Sequence, residues 1–237
     1  MQRTFFEGDH EAYRHAVREF LAREVEPHYE RWEDDRLVDR SAWLAAGKSG
    51  IIGLAVPEEF GGSGVSDCRF RYVTAEEIAR TGTTSFGSGI SLQDDVALPY
   101  IIDLGTDEQQ RRWLPRMAAG DLIGAIAMTE PGTGSNLQGI KTSAVRDGEH
   151  WVLNGQKTFI TNGIHSDVVI VVVRTDPDAG SRGFSLLVVE RDMPGFSRGA
   201  SCTRSVSRRR TPRNSPSRMC GCLTRTCSAL RARGSSI

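Results

Sequence analysis

Apolar positions in the first 120 residues recur at helical spacing. Tyr13, Val17, Phe20, Leu21 and Val25 share one face of a helix expected over 10–26, with Asp9 as its cap and Pro27 as its stop. A shorter helix is expected over 40–49, between Asp39 and Gly50. VPEEFGGSGVSD reads as a loop. Asp67 then caps a third helix, which runs through Arg80 and buries Phe70, Val73 and Ile78. Residues 89–104 suggest a fourth. TDEQ, Thr106 to Gln109, has the spacing of a capping box, and the helix behind it buries Trp113, Leu114 and Met117.

At Gly120 the pattern changes. LIGAIAMTE, GIKTSAVRD, HWVLNGQK, TFITNG, DVVIVVVRT and GFSLLVVE are short runs of strand composition. RDGEHW supplies a hairpin turn. VVIVVV, apolar at every position, predicts a strand covered on both faces. Helices that precede strands, without alternating with them, indicate α+β or two domains and exclude a doubly wound sheet. The expected division is an all-α domain over 1–121, a β-domain over 122–199 and an irregular tail over 200–237. No internal repeat is found.

With 38% hydrophobic and 25% charged residues, composition is that of an ordinary soluble globular protein. The formal net charge of zero conceals an asymmetry. The last 38 residues hold nine arginines and no acid, so residues 1–199 carry a net −9, which argues against general nucleic-acid binding. No apolar run approaches the roughly 18 residues of a membrane span. The N-terminus does not read as a signal peptide. One cysteine in the body, Cys68, excludes a disulfide framework there, so a reducing, cytoplasmic compartment is the default.

AMTEPGTGSN follows the first expected strand. Gly132 and Gly134 let backbone amides approach a ligand closely, and Thr129, Thr133 and Ser135 add hydroxyls. Such a turn suits a phosphate or pyrophosphate. It is neither a Rossmann fingerprint nor a P-loop, and taken alone a plain surface turn explains it equally well. In KTFITNG, Phe159 and Thr161 point to the same face of a regular strand. An aromatic beside a hydroxyl suits a flat heteroaromatic ligand. Taken alone, a core Phe beside a strand Thr is the simpler account.

Together, AMTEPGTGSNLQGIKT and LNGQKTFITNG resemble the acyl-CoA dehydrogenase family, most nearly its long-chain members. VPEEFGGSG, LGTDEQQRRWLPRMAAGDLIGAIAMTEPG and DVVIVVVRT extend the likeness from about residue 8 to Gly199. The resemblance implies an FAD enzyme of fatty-acid β-oxidation that converts an acyl-CoA to the trans-2-enoyl-CoA. It also implies an incomplete antiparallel β-barrel-like middle domain, with the family's C-terminal helical bundle absent from this chain. Its partners would be an acyl-CoA substrate and electron-transfer flavoprotein or a similar acceptor, in a homo-oligomer, with no nucleic acid, membrane or metal. By motif position, Ile126, Ala127, Met128, Thr129, Glu130, Pro131, Gly132, Thr133, Gly134 and Ser135 would run along the flavin, with Phe159, Ile160 and Thr161 beside it. Thr129 would bond the isoalloxazine, Phe159 would flank it and Thr161 would bond near N5. Ser135 would reach the pyrophosphate and the thioester end of the substrate, and Ser181 and Arg182 the CoA portion. Phe159 stands where many relatives have Trp, and Asn136 where many have Asp. None of Glu58, Glu59, Glu76, Glu77, Glu130 or Glu190 occupies the family's base position, so no catalytic residue is assigned.

The resemblance stops at PGFSRG, Pro194 to Gly199. Codons permitted for Ser201 to Ser207, read in a shifted frame, give LHKVGQ, the family's next motif. With permitted codons the shifted frame can be carried without a stop to Ile237. A frameshift at Gly199–Ala200 is therefore expected, with a disordered tail, a truncated chain and impaired activity. The alternatives are a catalytically inactive remnant, or a non-enzymatic module that binds through its basic C-terminal arm. Cys220, Cys222 and Cys227 have no recognised zinc spacing.

Overall fold

The computed structural model describes residues 5–148, 150–198, 220–224 and 227–231. Helices come first: α1 Gly8–Phe20, α2 Tyr29–Asp35, α3 Arg40–Lys48, α4 Arg69–Thr81, α5 Thr84–Leu92, α6 Leu98–Leu104 and α7 Asp107–Ala118. Val17 and Phe20 of α1 are buried as their spacing predicts, and a π-helical turn, Leu21–Val25, carries the same stripe onward. The cap of α1 is Glu7, in a reciprocal box with His10, while Asp9 lies inside the first turn, where its charge favours the helix dipole. Pro27 sits in a 3₁₀ turn, Glu26–His28, but the chain re-forms a helix at once. That helix, α2, is anchored by a single buried residue, Trp32, too little for periodicity to reveal.

The cap of α4 is Cys68, and the Asp67 carboxylate accepts the Arg69 N–H at 2.9 Å. Val73 and Ile78 are buried, but Phe70 is only partly so. The expected fourth helix is two helices, α5 and α6, joined by a π-helical turn, Gln93–Ala97. Pro99 explains the break, since it has no N–H to return to the preceding turn. The α7 capping box forms as expected: Thr106 Oγ1 accepts from Gln109 N at 3.3 Å, and Gln109 Oε1 from Thr106 N at 2.9 Å. Trp113, Leu114 and Met117 are buried beneath it.

The strands are β1 Gly124–Ala127, β2 Ser143–Asp147, β3 His150–Asn154, β4 Gln156–Thr161, β5 Val168–Arg174, β6 Phe184–Glu190, β7 Cys220–Thr224 and β8 Cys227–Arg231. One sheet has the order β1-β5-β2-β3-β8-β6, and β6 also pairs with β5, so that five of its strands form a ring. β4 pairs with β7. Most pairings are antiparallel, but β1 runs parallel to β5, with Gly124 opposite Val168, and β2 meets β5 in parallel at Ser143 and Arg174. The sheet is therefore mixed where an antiparallel one was expected, because the β2–β4 excursion is long enough to return the chain in the same direction. The tail was expected to be irregular throughout, yet the backbone at 220–224 and 227–231 is strand. Edges of β3, β4 and β6 offer unpaired backbone groups that any extended segment satisfies. The rest of that tail lies outside the described residues.

β5 is buried at all six positions from Val168 to Val173. Val168, Ile170 and Val172 pack with the helices. Val169, Val171 and Val173 pack inside the ring with Ala125, Ala127, Leu153 and Leu187. Polar groups fasten the two halves together. Arg40 pairs with Asp167 at 2.7 Å, and Asp167 also accepts the Ile123 N–H at 2.9 Å. Buried Gln93 donates to the Met117 and Leu122 carbonyls and accepts the Gly124 N–H at 2.8 Å, which fixes where β1 begins. Gly120 permits the crossing: its φ is +73°, and a Cβ there would lie 2.0 Å from the Trp43 carbonyl oxygen. No helix among the described residues is long and apolar enough to cross a membrane.

Candidate functional site

The loop after β1 is held from beneath. Glu130 N donates to Thr133 O at 2.9 Å and Thr133 N to Glu130 O at 3.1 Å, closing a tight turn over Pro131 and Gly132. Thr133 is buried, and its hydroxyl donates to Gly139 O at 3.0 Å. The Glu130 side chain turns inward, accepting from Lys141 N, Thr142 N and Lys157 Nζ at 2.8–2.9 Å. Lys157 is 1% exposed and also donates to Met128 O at 2.9 Å. Burial alone would raise the Glu130 pKa, but hydrogen bonds from Thr142, Lys141 and Lys157 outweigh it and hold the group at about 2. Burial pushes the Lys157 pKa down, with Glu130 pulling it back. Gly132 and Gly134 are exposed, and a Cβ on either would meet nothing within 4 Å. No contact among the described residues accounts for those glycines, so the outer face of the loop is open to close approach by a ligand.

β4 crosses directly behind this loop, where Thr158 N donates to Thr129 O at 2.8 Å. Its pairing register shifts between Lys157 and Ile160. Phe159, inside that irregularity, has φ +57° and is 52% exposed. A bulky residue in the left-handed region is strained, and an exposed aromatic ring gains little from the fold in return. Regular alternation is therefore lost where it was expected to put Phe159 and Thr161 on one face. Ile160 is buried in the ring core, and Thr161 is half-buried. Asn162, also left-handed at φ +63°, donates to Gly89 O at 3.0 Å and Gly124 O at 3.1 Å, fixing the end of β4 against α5 and β1.

Thr161 opens onto a cavity of about 570 Å³ in the helical half. Its walls come from the loop after α3, from α4 and α5, and from the π-helical turn between α5 and α6, mostly Ile51, Leu54, Ala75, Ile78, Ala79, Ile90, Leu92 and Val96. Arg71, Asp94 and Asp95 also line it. Sequence reasoning missed this cavity, because its wall is assembled from residues up to 110 positions apart. It missed Lys157 and Asn162 as well. Asn162-Gly163 was the available signal for a left-handed residue.

Of the remaining site residues, Ile126 and Ala127 are buried in β1 and can offer a ligand only backbone groups, while Met128 and Thr129 are half-buried. Pro131 and Ser135 are exposed on the loop. Ser181 and Arg182 are exposed on the turn Gly180–Arg182, between β5 and β6. Because β1 and β5 are parallel, the segments that follow them emerge at the same end of the sheet. Arg174 links the two, donating to Gln138 O at 2.7 Å. No group of three or more metal-ligating side chains is found among the described residues.

The family model for the acyl-CoA dehydrogenase N-terminal domain matches residues 7–121, and that for the middle domain matches residues 125–215. The chain belongs to the acyl-CoA dehydrogenase family. The mouse mitochondrial long-chain specific acyl-CoA dehydrogenase is 48% identical over 199 residues, 83% of this chain and 46% of the mouse protein. The crystal structure of acyl-CoA dehydrogenase from Geobacillus kaustophilus superposes with a TM-score of 0.89 at 40% identity, over 99% of this chain and 60% of the other. A glutaryl-CoA dehydrogenase from Mycobacterium smegmatis, solved with FADH2, gives 0.82 at 30% identity, over 96% and 55%. The chain thus spans just under half the length of the mouse acyl-CoA dehydrogenase it matches.

Proposed function

We propose that this chain provides the FAD surface and the acyl pocket of an acyl-CoA dehydrogenase, which converts an acyl-CoA to the trans-2-enoyl-CoA. The observation that carries this reading is Phe159, an aromatic ring held strained and exposed two residues before Thr161, which lines a mostly apolar cavity. Strain of this kind persists where function requires it. The residues present fit the cofactor: open glycines at 132 and 134 for its phosphates, Phe159 for a flat ring, and Thr129 and Thr161 for the ring edge. Bound there, FAD would supply the hydride acceptor.

The chain's own groups do the rest. Ser135, Ser181 and Arg182 offer hydroxyls and a guanidinium to the CoA phosphates at one end of the sheet. The cavity beyond Thr161 takes the acyl chain and keeps water from the reacting carbons. Proton removal from a thioester α-carbon needs a carboxylate that can accept a proton. Glu77 and Glu130 are ionised and fully engaged, Glu76 is held by Arg14, and Glu190 accepts from Trp113 and Arg112. Glu58 and Glu59 stand exposed on the turn Glu58–Phe60. None of these is assigned as the base. Electron-transfer flavoprotein or a similar acceptor, and a homo-oligomer, belong to the same reading.

The test is a titration of the purified chain with FAD, followed by flavin fluorescence. Saturable binding is expected, weakened up to about tenfold in Phe159→Ala, since aromatic stacking contributes about 0.5–1.5 kcal/mol. Absence of saturable binding would overturn the reading.

A further inference from the structure

A cavity for a plain hydrocarbon chain has no need of a buried carboxylate in its wall, yet this one has Asp94. Asp94 is 5% exposed and lines the cavity amid Ile51, Leu54, Ile90 and Leu92. Its carboxylate accepts the Gly53 N–H at 2.6 Å, with a further backbone bond from Leu54. Two donors leave a carboxylate with about half of its roughly four acceptor positions unused. The neighbouring charges do not fill them. Arg71 is paired with Asp95 at 3.3 Å, and both are about a third exposed, near the solvent side of the pocket. Tyr13 is bonded to Thr74 at 3.0 Å. Burial raises the Asp94 pKa to about 6 against the Gly53 bond, so near neutral pH the group is largely an acceptor under-supplied with donors.

Its position is set by α5 and the π-helical turn that continues it. Asn162 at the end of β4 bonds the Gly89 carbonyl, and Asp94 follows five residues later, roughly 7 Å further along the helix axis. A chain entering past Thr161 would thus bring a carbon several methylenes from the thioester up to Asp94.

We propose that Asp94 makes this cavity selective for acyl chains whose distal part carries a hydroxyl, over plain hydrocarbon chains of the same length. A hydroxyl donates to the unused side of the carboxylate. A methylene strips water from that carboxylate and returns nothing. The inference rests on the reading of the cavity as an acyl pocket.

The experiment measures dissociation constants by calorimetry for octanoyl-CoA, decanoyl-CoA and their ω-hydroxy counterparts, on the full 237-residue chain and its variants. In the unmodified chain one hydroxylated ligand binds at least about tenfold tighter than its plain partner. Asp94→Leu reverses that order. Asp94→Asn, which keeps an acceptor for Gly53 N–H, shrinks the advantage severalfold, because it removes the charge that strengthens the bond. Asp94→Asn decides the matter if the leucine variant does not fold. Equal binding of plain and hydroxylated ligands, unchanged in Asp94→Asn, overturns the selectivity and leaves the acyl pocket standing. Failure of all four ligands to bind overturns the acyl pocket, and the selectivity with it.

Discussion

Lys157→Met tests whether the buried pair beneath the loop fastens it. The substitution keeps side-chain length and removes the ammonium. Glu130, 7% exposed, then loses the Lys157 donor, and the Met128 carbonyl loses its bond from the same ammonium. Removing one partner of a buried pair costs about 3–5 kcal/mol. The surviving bonds from Lys141 and Thr142 put the expected loss at the lower end, about 3 kcal/mol. Glu130→Gln should cost about 2–3 kcal/mol, since it leaves the ammonium desolvated. The double variant removes both charges together, so its loss should fall well below the sum of the two, and the shortfall measures the coupling. Urea unfolding followed by tryptophan fluorescence gives all four values. The pH sign follows from the lowered Glu130 pKa: its contribution is present above the ordinary value of 4.5 and is lost as pH falls towards 2. Single losses under about 1 kcal/mol, or strictly additive ones, would show that the pair is incidental to the loop.

Three further outcomes are expected. The folded pKa of Asp94 is raised from 3.8 to about 6, so its contribution is present below pH 4 and is lost as pH rises through 6. Asp94→Asn should therefore gain stability over the unmodified chain across that window, by roughly 2–3 kcal/mol at its upper end, and a pH-independent difference in melting would contradict this. Phe159→Gly relieves a left-handed φ of +57° and should stabilise the fold by about 1 kcal/mol while weakening FAD binding, a split that urea unfolding and flavin titration read separately. Glu77, 2% exposed, accepts from Arg14, Arg18 and Arg80; Glu77→Gln should lower stability by about 2–3 kcal/mol, and a loss under 0.5 kcal/mol would show the α1–α4 network to be dispensable.

Legibility followed the range over which each constraint acts. The α7 capping box is three residues long and could be read directly, and so could β5, whose unbroken apolar run admits little else. α1 was legible as a stripe but not at its start, because Glu7 and Asp9 are both acceptable caps and only tertiary contacts choose between them. The break between α5 and α6 hides inside a continuous apolar pattern, since a π-helical turn adds one residue without altering composition. At the candidate site, the loop and β4 were legible as motifs. The left-handed Phe159 was not, because nothing in KTFITNG distinguishes a strained backbone from a regular strand. Glu130 was assigned to the ligand-facing loop, yet its side chain serves the interior, and only the distant Lys157 reveals that.

Val168 to Val173 form a partition with one core on each side. Its alternate residues belong to different halves of the molecule, so neither half can complete its packing until this one strand is laid down. β5 meets β1 more than forty residues away, and closing such a long loop is slow. The helices, whose contacts are more local, should gather first and wait with an unsealed flank. Loss of the partition would open both cores together, so the helical and strand halves are expected to melt in one transition, without a stable intermediate.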